Sequence, residues 1–505
     1  MSWLEEVFFP LNRPEYARTP EMLASALARD LTRSEKRGPD SPKDPPSDPV
    51  VGYVFEKTDP RERKTLQIRQ TRPVGEEFQE WVSLLRRCGL EAPDEGMAIA
   101  GNVLLDSLRG ITAARALGRA AVPLVPGTAL LQDARGMHAK KAPPNYGRIF
   151  NQMYVAGSEK PTREHDASVM WFRTASKQSR HPTIRVLDEA SRHIGELGEG
   201  RISLPVDLDD RAGDPLRPPP EWLSGTPTPF EWFRCAWDTV CLDDWRRALP
   251  RRRWADWATT VLRTALGLGF LWEARFYRAL AQQVLSRSPD PRDAAEEVLS
   301  DRLPLLDWKL EETPLGIRDV NSRMRRVIID GVECRAFLGD LQEDELQGLA
   351  QSDGFRGPDG LSEWIAGFRA FLEANPRRRD SLADCFGRNQ LSRHANVIET
   401  VRYALSTRRE FGPEADFYGL LRTRSRRFRV VQPGPEWIVV IASLAGKLPG
   451  NSITLRELRR RLAGMGLRPQ REVLVRELEQ AGLTQSSHDA DDAIRVSAGF
   501  AGAFG

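Results

Sequence analysis

The stretch Ser452–Gly482, SITLRELRRRLAGMGLRPQREVLVRELEQAG, decides how the carboxyl end of this chain folds. Thr454 with Glu457 three residues later is a T-x-x-E capping box, the pattern that satisfies orphaned backbone amides at a helix start. Leu455, Leu458 and Leu462 then recur at helical spacing and supply a buried stripe. Gly464 or Gly466 stops that helix. The short turn GLRP opens another, QREVLVRELEQAG, with Pro469 at its start, Gly482 beyond its end, and Val473, Leu474 and Leu478 inward. Four arginines, Arg456, Arg459, Arg460 and Arg461, lie on the first of these helices.

Upstream, PEWIVVIASLAGK reads as a helix with Trp437, Val440, Ile441 and Leu444 facing inward. Downstream, LTQSS and AIRVSAG read as two alternating strands around the turn HDADD. Helix, extended piece, helix, tight turn, helix, hairpin is an order that resembles the winged helix-turn-helix superfamily, over residues 432–505 only. In DNA-binding members of that superfamily the third helix enters the major groove with its N-terminal residues at the bases. The resemblance therefore implies base contact from Gln470 and Arg471, and backbone contact from Arg456, Arg459 and Arg460. Asp489, Asp491 and Asp492 at the hairpin tip would repel a phosphate backbone and count against wing contact. Winged helices also dock proteins, and a fold does not fix a function.

Just ahead of this unit stands RTRSRRFRVV, Arg422–Val431. Alternation puts Phe428 and Val430 on one face of a strand and Arg427 and Arg429 on the other. Arg422, Arg424, Arg426, Arg427 and Arg429, uninterrupted by any acid, are expected to make one arginine stripe. Such a stripe binds phosphates without reading sequence, because each neutralised phosphate releases counterions. The alternative is a solvated strand edge. Further upstream, GLSEWIAGFRAFLEAN, SLADCFGRN and SRHANVIETVRYAL read as three closely spaced helices. Ser381 and Asp384 cap the second, and Arg393, His394 and Asn396 open the third. These make a possible second tri-helical unit.

Composition bounds the rest. The chain has 505 residues, is 40% hydrophobic and 29% charged, and carries a formal charge of +3. That is too long for one ordinary core and too balanced for a global field to drive it onto a polyanion. Only ten of the 74 basic residues are lysine, which points to a GC-rich bacterial genome and weakens every argument from arginine. Cysteines at 88, 235, 241, 334 and 385 form no C-x-x-C and fit a reducing cytosol. The start MSWLEEVFFPLNRPEY lacks a basic leader, and the apolar run around ALGLGFLW is too short for a bilayer, so a cytoplasmic protein is expected.

The expected class is mainly α with small β elements (α+β), multidomain. A helical segment at 1–37, with PEMLASALARDLTR as its helix, leads through a linker at 38–49 to an α+β domain at 50–203. There VVGYVFEK and KTLQIRQTR read as paired strands and ASVMWFRTAS as a buried strand. A Pro-rich linker, 204–229, precedes a Trp-rich helical domain at 230–350, with PRRRW as a basic turn between helices and RRVIIDGVECRAFL as a hairpin around Asp330-Gly331. The possible tri-helical domain at 351–431 and the winged-helix domain at 432–505 complete the chain. The tryptophan spacing in 232–257 is helical, so those rings are read as core rather than as platforms for bases.

Catalytic motifs are weak. LAGKLP lacks the spacing of a phosphate-binding loop, and no nucleophile elbow occurs. Glu164, His165 and Asp166 in REHDAS are adjacent, and only alternate residues of a strand share a face. Asp307 and Lys309 in LLDWKLEE have the D-x-K spacing of restriction-type nucleases, with Asp290 or Asp293 as the upstream acid for a divalent metal. No cofactor is expected. The sequence thus reads as a non-enzymatic DNA-engaging or adaptor subunit of a bacterial multi-protein system, possible in anti-phage defence, beside a separately encoded ATPase or nuclease. The alternatives are a diverged metal-dependent nuclease and a protein–protein scaffold that uses the winged helix to dock.

Overall fold

The computed structural model describes residues 20–31, 145–158, 166–177, 218–286, 290–300, 304–308, 320–341, 354–387, 391–410, 415–424, 428–484 and 494–497. It also describes shorter pieces at 4, 7–14, 33–34, 53–56, 67–70, 122–126, 184–185, 202–203 and 216, and scattered positions between 79 and 103. Among these the chain is mostly helical, with two-stranded antiparallel pairs, as the composition and periodicity led one to expect.

In chain order, α1 is Glu21–Leu31, β1 Arg33–Ser34, β2 Tyr53–Glu56 and β3 Gln67–Gln70; α2 is Tyr146–Ala156, α3 Ala167–Ala175 and β4 Ile202–Ser203. β2 pairs with β3 as expected, and β1 with β4. Residues 167–175 form a helix and not the expected buried strand. Asp166 caps it by accepting from the Val169 amide at 2.9 Å, and that local bond commits the backbone to a turn.

The middle of the chain contains α4, Pro229–Val240, α5, Asp243–Ala248, and α6, Arg251–Leu285. α6 has 35 residues, so at 1.5 Å per residue it runs about 52 Å, and it is the axle of the molecule. Its stretch 261–272 is buried all round, with α4 and two later helices packed along it. The expected basic turn PRRRW is mostly helix, because Pro250 is the N-cap and Arg251–Arg253 form the first turn. The tryptophans are core. Trp237, Trp245, Trp254 and Trp257 are solvent-free, and the indole N–H groups of the first three donate to the carbonyls of Ala167, Lys447 and Val240.

α7 is Pro291–Leu299 and α8 is Val320–Gly339. The expected hairpin at Asp330-Gly331 is instead the middle of α8. Its glycine serves helix packing: a Cβ at Gly331 would lie 2.0 Å from the Ala274 carbonyl oxygen, so α6 and α8 cross there at backbone contact. α9, Gly360–Ala374, α10, Pro376–Ala383, and α11, Leu391–Leu405, follow. Ser381 and Asp384 do not cap the start of α10, as the sequence suggested. Ser381 lies inside the helix and donates to Arg377 O, and Asp384 follows its end.

β5, Leu421–Arg424, pairs with β6, Phe428–Val431; then come α12, Pro435–Ala445, β7, Ser452–Thr454, α13, Leu455–Gly464, α14, Arg471–Gln480, and β8, Arg495–Ser497. β8 pairs with β7, and Thr484 bridges to Val496, so both ends of the last excursion join one small sheet. The stops fall where expected, with left-handed glycines at Gly466 (φ +79°) and Gly482 (φ +69°).

One buried apolar cluster runs from Leu4 to Val496 and includes side chains from the 230–350, 351–431 and 432–505 segments. The Trp437 indole reaches Thr264 Oγ1 on α6 at 3.0 Å, tying the C-terminal helices to the axle. The second half of the Pro-rich stretch 204–229 is packed too: Trp222 donates to the Phe355 carbonyl and stacks on Phe276. Arginines close helix ends throughout. Arg234 donates to Gly157 O behind α2, Arg251 to Lys177 O behind α3, and Arg275 to Ser300 O behind α7. Arg369 reaches Gln283 O and Arg379 reaches Leu285 O at the end of α6, while Arg263 takes Ala404 O and Ser406 O at the end of α11. A cation there satisfies orphan carbonyls and complements the helix dipole.

Candidate nucleic-acid interface

The most cationic face of the C-terminal unit is the outside of α13. The Thr454 hydroxyl accepts from the Glu457 amide at 3.2 Å and starts the helix, and Leu455, Leu458 and Leu462 turn inward. Helical spacing then places Arg456, Arg459 and Arg460 together on the outer side, all exposed. Arg456 and Arg459 meet no acid among the described residues. Arg460 is held: both Glu457 carboxylate oxygens take it, at 2.8 and 2.9 Å, and Arg461 shares the second at 2.9 Å. Bonding to Arg460, joined by Arg461 and only partly opposed by burial, pulls the Glu457 pKa down to about 2. The forward half of the expected capping box is therefore present, while the glutamate side chain serves as a clamp on two arginines.

α14 offers less. Gln470 and Arg471 are half-buried and engaged within the chain. Beyond them Glu472, Arg476 and Glu479 are exposed, Arg476 lies 3.7 Å from Glu477, and burial raises the Glu477 carboxyl despite Arg476 and Arg422 nearby. The N-terminal end of α14 also touches residues 304–308, since the Gln470 amide donates to Trp308 O at 3.3 Å.

The arginines of β5 and β6 do not form one stripe. Register pairs Arg422 with Val430 and Arg424 with Phe428, but Thr423 with Arg429, so strand alternation sends Arg422 and Arg424 to one face and Arg429 to the other. Arg429 is half-buried and donates to Asn321 Oδ1 at 3.3 Å. Arg424 is exposed and donates to Gln432 Oε1 at 2.9 Å. Arg426 and Arg427 lie outside the described residues, as do Asp489, Asp491 and Asp492.

Of the described catalytic candidates, Asp307, Asp290 and Asp166 are each engaged locally. Asp307 forms an ion pair with Arg323 at 2.7 Å, and Lys309 lies outside the described residues. Asp290 caps α7 by accepting from the Arg292 amide, and Asp293 sits in that helix's first turn. Asp166 is a helix cap, and Glu164 and His165 lie outside the described residues. His394 does not open an exposed recognition helix. It is buried, with Nε2 2.5 Å from Glu333 Oε1 on α8. Among the described residues no group of three or more His, Cys, Asp or Glu is placed to hold a metal ion, and no helix is long and apolar enough to cross a membrane.

Two features escaped the sequence reading. The Glu457 clamp was open to it, because an acid three and four residues before arginines on a helix is a standard pairing distance. The contact of 304–308 with the α13–α14 turn joins segments some 160 residues apart in sequence, and no local pattern carries it. A scan against models of known protein families finds no match for this chain, and a search of curated proteins finds none either.

Proposed function

We propose that this chain is a non-enzymatic subunit that engages the phosphate backbone of DNA through the outer face of α13, as an adaptor within a multi-protein system. The observation that carries the reading is the ridge Arg456–Arg459–Arg460, three exposed guanidiniums in which the second and third each lie about one turn beyond the first, two of them without an acid among the described residues. The element order α12–β7–α13–α14–β8, with β8 returning to β7, supports a winged-helix unit as the frame. Guanidinium forks suit phosphate oxygens, and several acting together give salt-sensitive, sequence-indifferent affinity.

The test is equilibrium binding of the full chain to a short duplex across a salt series. Replacing Arg456 and Arg459 by alanine is expected to flatten the slope of log K against log salt by roughly 1.8, for two lost phosphate contacts. An unchanged slope removes the ridge from the interface. A second reading, a protein-docking module, is favoured by the mixed charge of α14 and by the covered turn ahead of it. Salt-independent behaviour toward duplex would move the assignment there.

A further inference from the structure

We infer that residues 304–308 are a built-in cover over the entry to α14, so that nucleic acid meets this unit along α13 and no bases are read by Gln470 and Arg471. The inference rests on the function proposed above and states which half of that surface is used. The cover is held by backbone and by packing. The Leu305 amide donates to Gly466 O at 2.8 Å, Leu306 bridges Leu467 in parallel, and the Gln470 amide donates to Trp308 O. Trp308 is buried edge-on against Trp437, with ring centroids 6.1 Å apart. The turn and the cover are fitted to each other: Gly466 has φ +79°, and a Cβ there would lie 2.4 Å from Leu305 Cγ. On the outer side, Asp307 is tied to Arg323 of α8.

In the DNA-binding form of this motif, the turn and the first residues of the following helix are what approach the groove. Here that turn already carries a parallel bridge, and Gln470 and Arg471 are half-buried. Charge points the same way. α13 has four arginines against one glutamate, whereas α14 has Arg471 and Arg476 against Glu472, Glu477 and Glu479. A polyanion is drawn to the first and not to the second.

Two measurements on the full chain test this. In hydrogen–deuterium exchange, the segment 466–471 should be protected in the wild type and in Trp308→Phe, and exchange at least about tenfold faster in Trp308→Ala. Rapid exchange in the wild type overturns the cover whether or not Trp308→Ala folds. In fluorescence anisotropy with two labelled duplexes of unrelated sequence near 0.15 M salt, the wild type should bind both alike. Arg456→Ala/Arg459→Ala should lose about tenfold, and Gln470→Ala/Arg471→Ala should stay within about threefold. A larger loss in the Gln470/Arg471 variant, or sequence preference abolished by it, overturns the inference and leaves the proposed function standing. No duplex binding, or binding indifferent to the Arg456/Arg459 pair, overturns the proposed function and the inference with it.

Discussion

Arg263 and Asp416 form an ion pair inside the protein: the guanidinium meets both carboxylate oxygens at 3.0 and 3.1 Å, with side chains 2% and 0% exposed. Each side-chain nitrogen of Arg263 and each carboxylate oxygen of Asp416 has at least one partner. Arg263 also donates to Ala404 O and Ser406 O, while Asp416 accepts from the Arg408 and Tyr418 amides. Arg408 extends the network to Glu21 of α1 at 3.1 Å, so three distant parts of the chain are joined through buried charge. A charge left alone there would be costly, whereas a fully bonded pair is tolerated.

Asp416→Ala should therefore destabilise the protein by about 3–5 kcal/mol in chemical denaturation, chiefly by stranding Arg263. Burial pushes the Asp416 carboxyl up, but Arg263 and Arg408 outweigh it and hold the group well below the ordinary carboxylate range. A depressed pKa in the folded state means that its contribution is present above the unfolded value of about 3.9 and is lost as pH falls below it. The wild type should show that acid limb and Asp416→Ala should lack it. A small loss at neutral pH would show that the network is dispensable.

Gly331→Ala should destabilise by about 1–3 kcal/mol or more, because the added methyl meets the Ala274 carbonyl of α6 and neither backbone can yield cheaply. Gly339→Ala, whose Cβ would meet only Leu4 Cδ2 among the described residues, at 3.9 Å, should stay within about 0.5 kcal/mol. Thermal melts of both variants make the comparison, and equal melting points would contradict the backbone crossing.

Asp256 titrates in the opposite sense to Asp416. Burial lifts its carboxyl to about 6 although Arg252 stabilises the charge, and Glu21 adds to the lift. Its side chain is 25% exposed. A raised folded-state pKa binds the proton more tightly in the native protein, so its contribution is complete below about pH 3.9 and is lost as pH rises to about 6. The stability of wild type minus that of Asp256→Asn should fall across that window by up to about 2–3 kcal/mol. Melting both proteins from about pH 4.5 to 7 reads this difference, and a constant difference would mean that Asp256 keeps an ordinary pKa.

Local chemistry was legible in the sequence wherever one turn of helix or one strand pair decided the outcome. Thr454, Gly466, Gly482 and the tryptophan spacing of α4 and α6 all act within a few residues of themselves. The misread elements share another cause. Asp330-Gly331 has the composition of a tight turn, yet Gly331 is there because another helix passes against it. His394 has the look of a surface reader, yet its partner Glu333 is 61 residues away in sequence. Arginine was ambiguous for a compositional reason. In a chain with 64 arginines, many of them close helix ends, and sequence alone does not separate Arg263, which is buried, from Arg459, which is exposed.

Glu457→Gln should act on the α13 ridge in the opposite direction to the arginine deletions. The carboxylate holds Arg460 and Arg461, and with its pKa near 2 it stays ionised throughout the neutral range, so duplex affinity should show no Glu457 titration between about pH 5 and 8. Glutamine removes one negative charge and one of the two acceptor oxygens, which loosens its hold on both guanidiniums. The expected result is a several-fold gain in duplex affinity near 0.15 M salt, with a slope of log K against log salt steeper by up to about 1–2 units. The folding cost should stay below about 1 kcal/mol, since Arg460 is 76% exposed and a surface pair of this kind contributes little. Anisotropy titrations at several salt concentrations, with a melt to check folding, read both effects. Binding that is unchanged or weaker in a folded Glu457→Gln protein would mean that the guanidiniums of α13 do not face the phosphates.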